Sequence, residues 1–120
     1  MREKRKYDVR ISLNKSGGKR LVVRFAFYNK ATEVLVDANY MAITDVEKIA
    51  GRIYFIPSKE KEPNKQFKLS KSNKSQNKYF TFTPSEKAEK IYRSKWIGGT
   101  FKINKDKECG LWYIENEKND

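Results

Sequence analysis

The chain has 120 residues and a formal net charge of +12, from 27 basic and 15 acidic side chains, so it amounts to one small domain with a strongly cationic surface. Cys109 is its only cysteine and it has no histidine, which excludes an intrachain disulfide, a His/Cys zinc centre and the Ser-His-Asp and Cys-His nucleophile arrangements. No run of about 18 apolar residues exists, and the N-terminal MREKRKYDVR leads into no apolar core of a signal peptide, so the expectation is a cytoplasmic protein without a membrane span.

Tyr7, Val9, Ile11 and Leu13 alternate with Asp8, Arg10 and Ser12, the pattern of a half-buried strand. Asn14 to Lys19 forms a turn around Gly17-Gly18, and Arg20 to Tyr28 returns as a second strand burying Leu21, Val23, Phe25 and Phe27. Asn29 is placed to cap a short helix over Lys30 to Val36. Thr44-Asp45-Val46-Glu47 has the spacing of a capping box, which predicts a two-turn helix ending at Gly51. Arg52 to Pro57 reads as a strand closed by proline, followed by the charged loop Ser58 to Lys65. Gln66 to Ser70 sends Phe67 and Leu69 inward, a lysine-dotted loop runs from Lys71 to Asn77, and Lys78 to Thr83 is an aromatic strand. Thr83-Pro84-Ser85-Glu86 predicts a helix capped by Thr83 and running to about Lys95, with Ala88, Ile91 and Tyr92 on its buried face. Trp96 reads as a core plug at the helix end. Two strands, Thr100 to Asn104 and Leu111 to Glu115, close the chain around the turn Lys105 to Gly110. In the last strand Trp112 and Tyr113 must face opposite ways, and the pattern leaves open which is inside; Tyr54 is equally open.

Loop, aromatic strand and helix thus occur twice. Phe25-Ala26-Phe27 matches Phe80-Thr81-Phe82, and Gly51-Arg52-Ile53-Tyr54 parallels Gly99-Thr100-Phe101-Lys102, as in a ββαβ pseudo-repeat. From Gly51 onward the order is strand, strand, strand, helix, strand, strand, which is the order of an OB barrel. The expected fold is mainly β with minor helix: one domain over 1–120, with an N-terminal hairpin (1–30), an OB-like unit (51–116) and an acidic tail (116–120).

Charge is not evenly spread. Residues 1–30 hold ten basic and two acidic side chains, and residues 64–105 hold eleven and two, whereas the segments between and after them are mildly acidic. The acids avoid the hairpins, which favours polyanion binding over a solubilising lysine bias. An OB-type surface holds single strands by cations on phosphates and aromatics under bases. The residues expected to do this are Arg10, Arg24 and Tyr28 on the first hairpin, Lys15, Lys19 and Arg20 around its loop, Lys68, Lys71, Lys74 and Lys78 on the later strands and loop, and Tyr79. Lysine far outnumbers arginine, which suits backbone contact better than base reading in a duplex groove. A nuclease would need carboxylates converging on a metal, and the few candidates in the basic segments are Asp8, Glu86 and Glu89; the glutamates suit a helix start instead. No catalytic residue, metal or cofactor is therefore expected.

The lysine- and asparagine-rich hairpins, the segments RFAF and YFTFTPSEKAEKIY and the small basic β chain resemble the single-stranded DNA-binding proteins of lactococcal siphophages. The resemblance implies a variant OB fold, binding of single-stranded DNA without sequence preference, and a role in phage replication or recombination in the host cytoplasm beside a strand-annealing or recombinase protein. The C-terminal Glu115-Asn-Glu-Lys-Asn-Asp120 departs from cellular proteins of this function, since it is acidic but lacks their apolar tip. Open hairpin edges leave room for a homo-oligomer. An RNA- or duplex-binding regulator, or an inhibitor of an acidic host protein, is the alternative.

Overall fold

The computed structural model describes residues 7–16, 20–49, 51–62, 66–71, 77–96 and 99–116. The first hairpin pairs β1 (Val9–Ser16) with β2 (Arg20–Phe27) over eight residues of antiparallel register, from Val9↔Phe27 to Ser16↔Arg20. Helix α1 (Lys30–Val34) follows, then β3 (Tyr40–Ile43) and β4 (Arg52–Ser58). Two short strands, β5 (Phe67–Lys68) and β6 (Ser70–Lys71), lead to β7 (Lys78–Phe82). Helix α2 (Glu86–Ile91) runs on into a π-helical turn, Tyr92–Trp96. The chain closes with β8 (Thr100–Phe101), β9 (Asn104–Lys105) and β10 (Trp112–Glu115).

The strands form two five-stranded antiparallel sheets, in the orders β6-β7-β2-β1-β8 and β5-β3-β4-β10-β9. The fold is mainly β with minor helix, as the alternation of the strands leads one to expect. From Gly51 onward the order matches the one read from the sequence except that two expected strands are each broken in two, Gln66 to Ser70 into β5 and β6 and Thr100 to Asn104 into β8 and β9. The sheets do not close into a continuous ladder. They meet at two corners, where Leu69 carries the chain from β5 to β6 and Lys102-Ile103 carry it from β8 to β9. The N-terminal hairpin is built into this enclosure, because β2 pairs with β7 and β1 with β8.

The pairing pattern repeats itself. The series β1, β2, α1, β3, β4 has a counterpart in β5/β6, β7, α2, β8/β9, β10. Under that correspondence β1·β2 answers to β6·β7, β1·β8 to β3·β5, and β3·β4 to β9·β10, while β2·β7 and β4·β10 are the two self-related central pairs. The repeat is therefore ββαββ, one strand longer than the ββαβ unit expected. Phe25 and Phe80 do face each other across β2·β7. The glycine match is corrected: the strand after Gly51 corresponds to the strand after Gly110, and the strand after Gly99 corresponds to β3.

Both sheets turn their phenylalanines inward. Phe25 and Phe80 stack at 5.0 Å, Phe67 stacks on Phe80 at 5.0 Å, and Phe27 meets Phe55 edge-on at 5.5 Å. Val9, Ile11, Val23, Met41, Ile53 and Ile114 fill the remaining interior, and Trp96 plugs the end of α2 as expected, at 1% exposure. No helix among the described residues is long and apolar enough to cross a membrane.

Local signals were overridden in four places. Thr44 caps no helix: its hydroxyl accepts the Tyr54 N–H at 3.0 Å, and residues 46–48 are only a turn, held by Asp45 Oδ1 accepting from Glu47 N. Its neighbours Tyr40–Ile43 are drawn into the sheet between β4 and β5 instead. Helix α2 starts two residues later than predicted, with Ser85 Oγ accepting the Ala88 N–H at 3.1 Å. Asn29 sits at the start of α1 with φ 50° and makes no capping bond; its amide donates to Tyr7 O, and Asp8 Oδ1 accepts the Lys30 N–H. Strand β4 also runs one residue past Pro57. Ser58 O and Tyr54 O both point at β3, so Pro57 presents its missing N–H to the opposite side, beyond the last β10 pair, Trp112↔Phe55.

Candidate nucleic-acid interface

Alternation along β1, β2, β7 and β8 gives the first sheet a polar outer face. One row across it reads Thr100, Arg10, Ala26, Tyr79, Ser70, and the next Ser12, Arg24, Thr81. Arg24 and Tyr79 are diagonal neighbours in this grid, close enough for long side chains to touch. The Arg24 guanidinium carbon lies 4.1 Å from the centre of the Tyr79 ring, in a cation–π stack. Ala26 is the small residue over which they meet, and it is 8% exposed although it faces outward. Arg10 stands beside it, exposed. At the end of the same face Tyr28 meets Tyr7 edge-on at 5.5 Å.

The electrostatics of the face are one-sided. Among the described residues no carboxylate lies within ion-pair reach of Arg10 or Arg24. Asp8 has the outward parity but is buried, and its two oxygens accept the N–H groups of Lys30 and Ile103 at 3.1 and 3.0 Å. Arg10, Arg24 and Tyr79 thus share one surface on which, among the described residues, no carboxylate pairs with either arginine.

The second sheet's outer face repeats the stack with a different outcome. Tyr54 and Tyr113 pair across β4·β10 with ring centres 5.3 Å apart, and the Arg52 guanidinium lies 4.3 Å over Tyr113. Here Arg52 Nε donates to Glu115 at 2.8 Å and Nη1 to Tyr54 OH at 3.0 Å, while the tyrosine hydroxyl donates to Asp106 at 2.8 Å. The bond to Glu115, then that to Tyr54, pushes the Arg52 guanidinium further up from an already high value. The Asp106 carboxyl is held below its ordinary range by Tyr54 first and by the Glu108 N–H second. This arrangement also decides the open orientations: Tyr54 and Tyr113 face out, while Trp112 and Ile114 face in.

The remaining expected site residues divide. Lys68 and Lys71 are exposed on β5 and β6, at the corner between the sheets rather than on the Arg24 face. Lys78 is a correction. It was expected outside, but it shares the parity of Phe80 and Phe82 and points inward, 9% exposed. Its ammonium donates to the carbonyl oxygens of Leu35 at 2.8 Å and Val36 at 3.4 Å, and to that of Ala38, satisfying the chain just after α1. Burial, with Lys71 second, lowers its pKa. Lys19 and Lys74, and the side chains of Lys15 and Arg20, lie outside the described residues.

Sequence reasoning weighed the orientation of Trp112 but passed over Lys30 and Lys105, whose ammonium groups lie 5.0 and 6.0 Å from its indole centre. Lys105 stood in a turn and Lys30 at a helix start, and no local pattern brings them together. Among the described residues no three His, Cys, Asp or Glu side chains group as a metal site. No protein family, curated protein or solved structure matches the chain.

Proposed function

We propose that this protein binds single-stranded DNA without sequence preference, using the outer face of the first sheet. The observation that carries the reading is the half-buried Arg24–Tyr79 stack beside exposed Arg10, on an outer face where no carboxylate among the described residues pairs with either arginine. A base laid on the guanidinium or on the tyrosine ring extends a stack that already exists, and every base has a π-face to offer. The guanidinium edges keep their N–H donors for phosphate, and Arg10 supplies a second positive charge one row away. Binding of this kind is fast, tolerant of sequence and strongly salt-dependent.

The tyrosines favour a single strand over a duplex, since paired bases keep their faces hidden inside the stack. The RFAF and YFTFTPSEKAEKIY segments, which resemble those of phage single-stranded DNA-binding proteins, agree with this and suggest a place in phage DNA replication or recombination. The reading is of a binding module with no chemistry of its own. Fluorescence anisotropy with matched ssDNA, dsDNA and ssRNA oligonucleotides, at two salt concentrations and without metal, tests it. Tight, salt-sensitive preference for ssDNA is expected. Equal affinity for all three, fading at physiological salt, would leave only a basic protein and overturn the reading; preference for duplex or RNA would replace it.

A further inference from the structure

Lys30 and Lys105 belong to different elements, α1 and β9, yet both place their ammonium groups within 6.0 Å of the centre of one indole, that of half-buried Trp112. Asp8 brings them together, because its carboxylate accepts the N–H of Lys30 and the N–H of Ile103 and so ties the start of α1 to the β8–β9 corner. Two like charges gathered at one ring repel each other. Among the described residues neither lysine has a carboxylate partner. Asp8, which bonds Lys30 N, and Asp106, next to Lys105 in the chain, are engaged elsewhere: Asp8 with those two backbone donors, and Asp106 with Tyr54 and the Glu108 N–H.

The corner lies beside the proposed interface. Thr100, the first residue of β8, pairs with Arg10, and from there the chain passes exposed Lys102 to reach Lys105. Resting on the single-strand reading, we infer that this corner is a second phosphate site, where Lys30 and Lys105, held over Trp112, clasp a phosphodiester of the strand leaving the first sheet beside Arg10. A phosphodiester at this corner gains two charge-assisted contacts at once, and the indole is the apolar wall against which both stems rest. The bound strand then turns the corner from the first sheet toward the second, with Lys102 along its path. Asp8 is a positioning residue in this scheme.

The test measures the salt dependence of binding to oligothymidylates of about 4 and about 16 nucleotides, the limits of the usual site size for such barrels. The variant K30A/K105A is compared with K59A/K61A, which removes the same charge from exposed positions after β4. On the longer strand K30A/K105A should lower the slope of log K against log salt by roughly 0.7 for each lysine and weaken binding several-fold, while K59A/K61A changes neither. On the shorter strand, which the first sheet alone can cover, both variants should behave as wild type. Equal losses in the two variants, or no loss in K30A/K105A on the longer strand, would overturn the corner site and leave the first-sheet reading standing. A wild-type protein with no preference for ssDNA would remove both.

Discussion

The two outer sheet faces carry the same device with opposite electrical outcomes. On each, an arginine lies flat over a tyrosine, Arg24 over Tyr79 at 4.1 Å and Arg52 over Tyr113 at 4.3 Å. On the second sheet Glu115 ion-pairs with the guanidinium at 2.8 Å, and Asp106 stands near it at 3.8 Å. On the first sheet nothing of the kind is present among the described residues. An arginine over an aromatic is therefore not in itself a sign of a binding site. A neutralised stack holds two strands together; an acid-free one has donors and a π-face left for a ligand.

The largest effect should separate the faces directly. Stacking of a base on an aromatic contributes about 1–3 kcal/mol, so Tyr79→Ala should weaken ssDNA binding by roughly tenfold or more without changing its salt slope. Tyr113→Ala, measured in the same anisotropy titration, should leave affinity within about twofold. Comparable losses from both substitutions would break the distinction.

Lys78 sharpens the comparison from the other side of the first sheet. Lys78→Ala removes the donor that satisfies three carbonyl oxygens, and leaving buried acceptors unpaired should cost about 1–3 kcal/mol in urea unfolding. Affinity for ssDNA, measured where the variant is still folded, should be unchanged. A loss of affinity with stability intact would return Lys78 to the interface.

Arg10→Ala with Arg24→Ala should lower the salt slope by roughly 0.7 for each arginine that meets a phosphate, whereas Arg52→Ala should leave it alone. The converse experiment makes the second face resemble the first. Replacing Asp106 by Asn and Glu115 by Gln unmasks Arg52, and a small gain in affinity with a slope steeper by roughly 0.7 is expected. The smallest effect is one of pH. Asp106 is held below the usual carboxylate range by Tyr54 and then by the Glu108 N–H. Its contribution to stability is thus complete above the ordinary value of 3.8 and is lost as pH falls through the lower folded value. The urea midpoints of wild type and D106N should differ at pH 7 and converge once Asp106 is protonated in both states of the wild type.

How much of this was legible in the sequence depends on whether the governing contact is local. Alternation alone placed Arg10, Arg24, Tyr28 and Tyr79 on one side of the hairpin strands; of these Arg24 and Tyr79 meet on the first sheet, Arg10 stands in the same row as Tyr79, and Tyr28 packs on Tyr7 beyond the end of β2. Lys78 carried the same signal, two residues before Phe80, but its place at the end of a lysine-rich loop suggested the opposite side. Thr44 shows a local motif losing to a distant one: the 44–47 spacing suits a capping box, yet the Thr44 hydroxyl bonds the backbone of Tyr54. Leu111-Trp112-Tyr113-Ile114 is apolar throughout, so no periodicity could orient it, and it took the pairing of Tyr113 with Tyr54 to do so. The Lys30–Trp112–Lys105 cluster depends on Asp8 bonding residues 22 and 95 positions away, which no window of sequence contains.

The central claim is that the acid-free face, and not its neutralised counterpart, takes the strand. Backbone amide chemical-shift mapping of the full chain with an oligothymidylate of about 16 nucleotides tests this most directly. Shifts should concentrate on β1, β2 and β7, around Arg10, Arg24, Ala26 and Tyr79, extend to the corner at Lys30, Lys102 and Lys105, and leave Tyr40–Ile43 and Arg52–Ser58 in place. Shifts centred on β3, β4 and β10, or spread evenly over every exposed lysine, would contradict it.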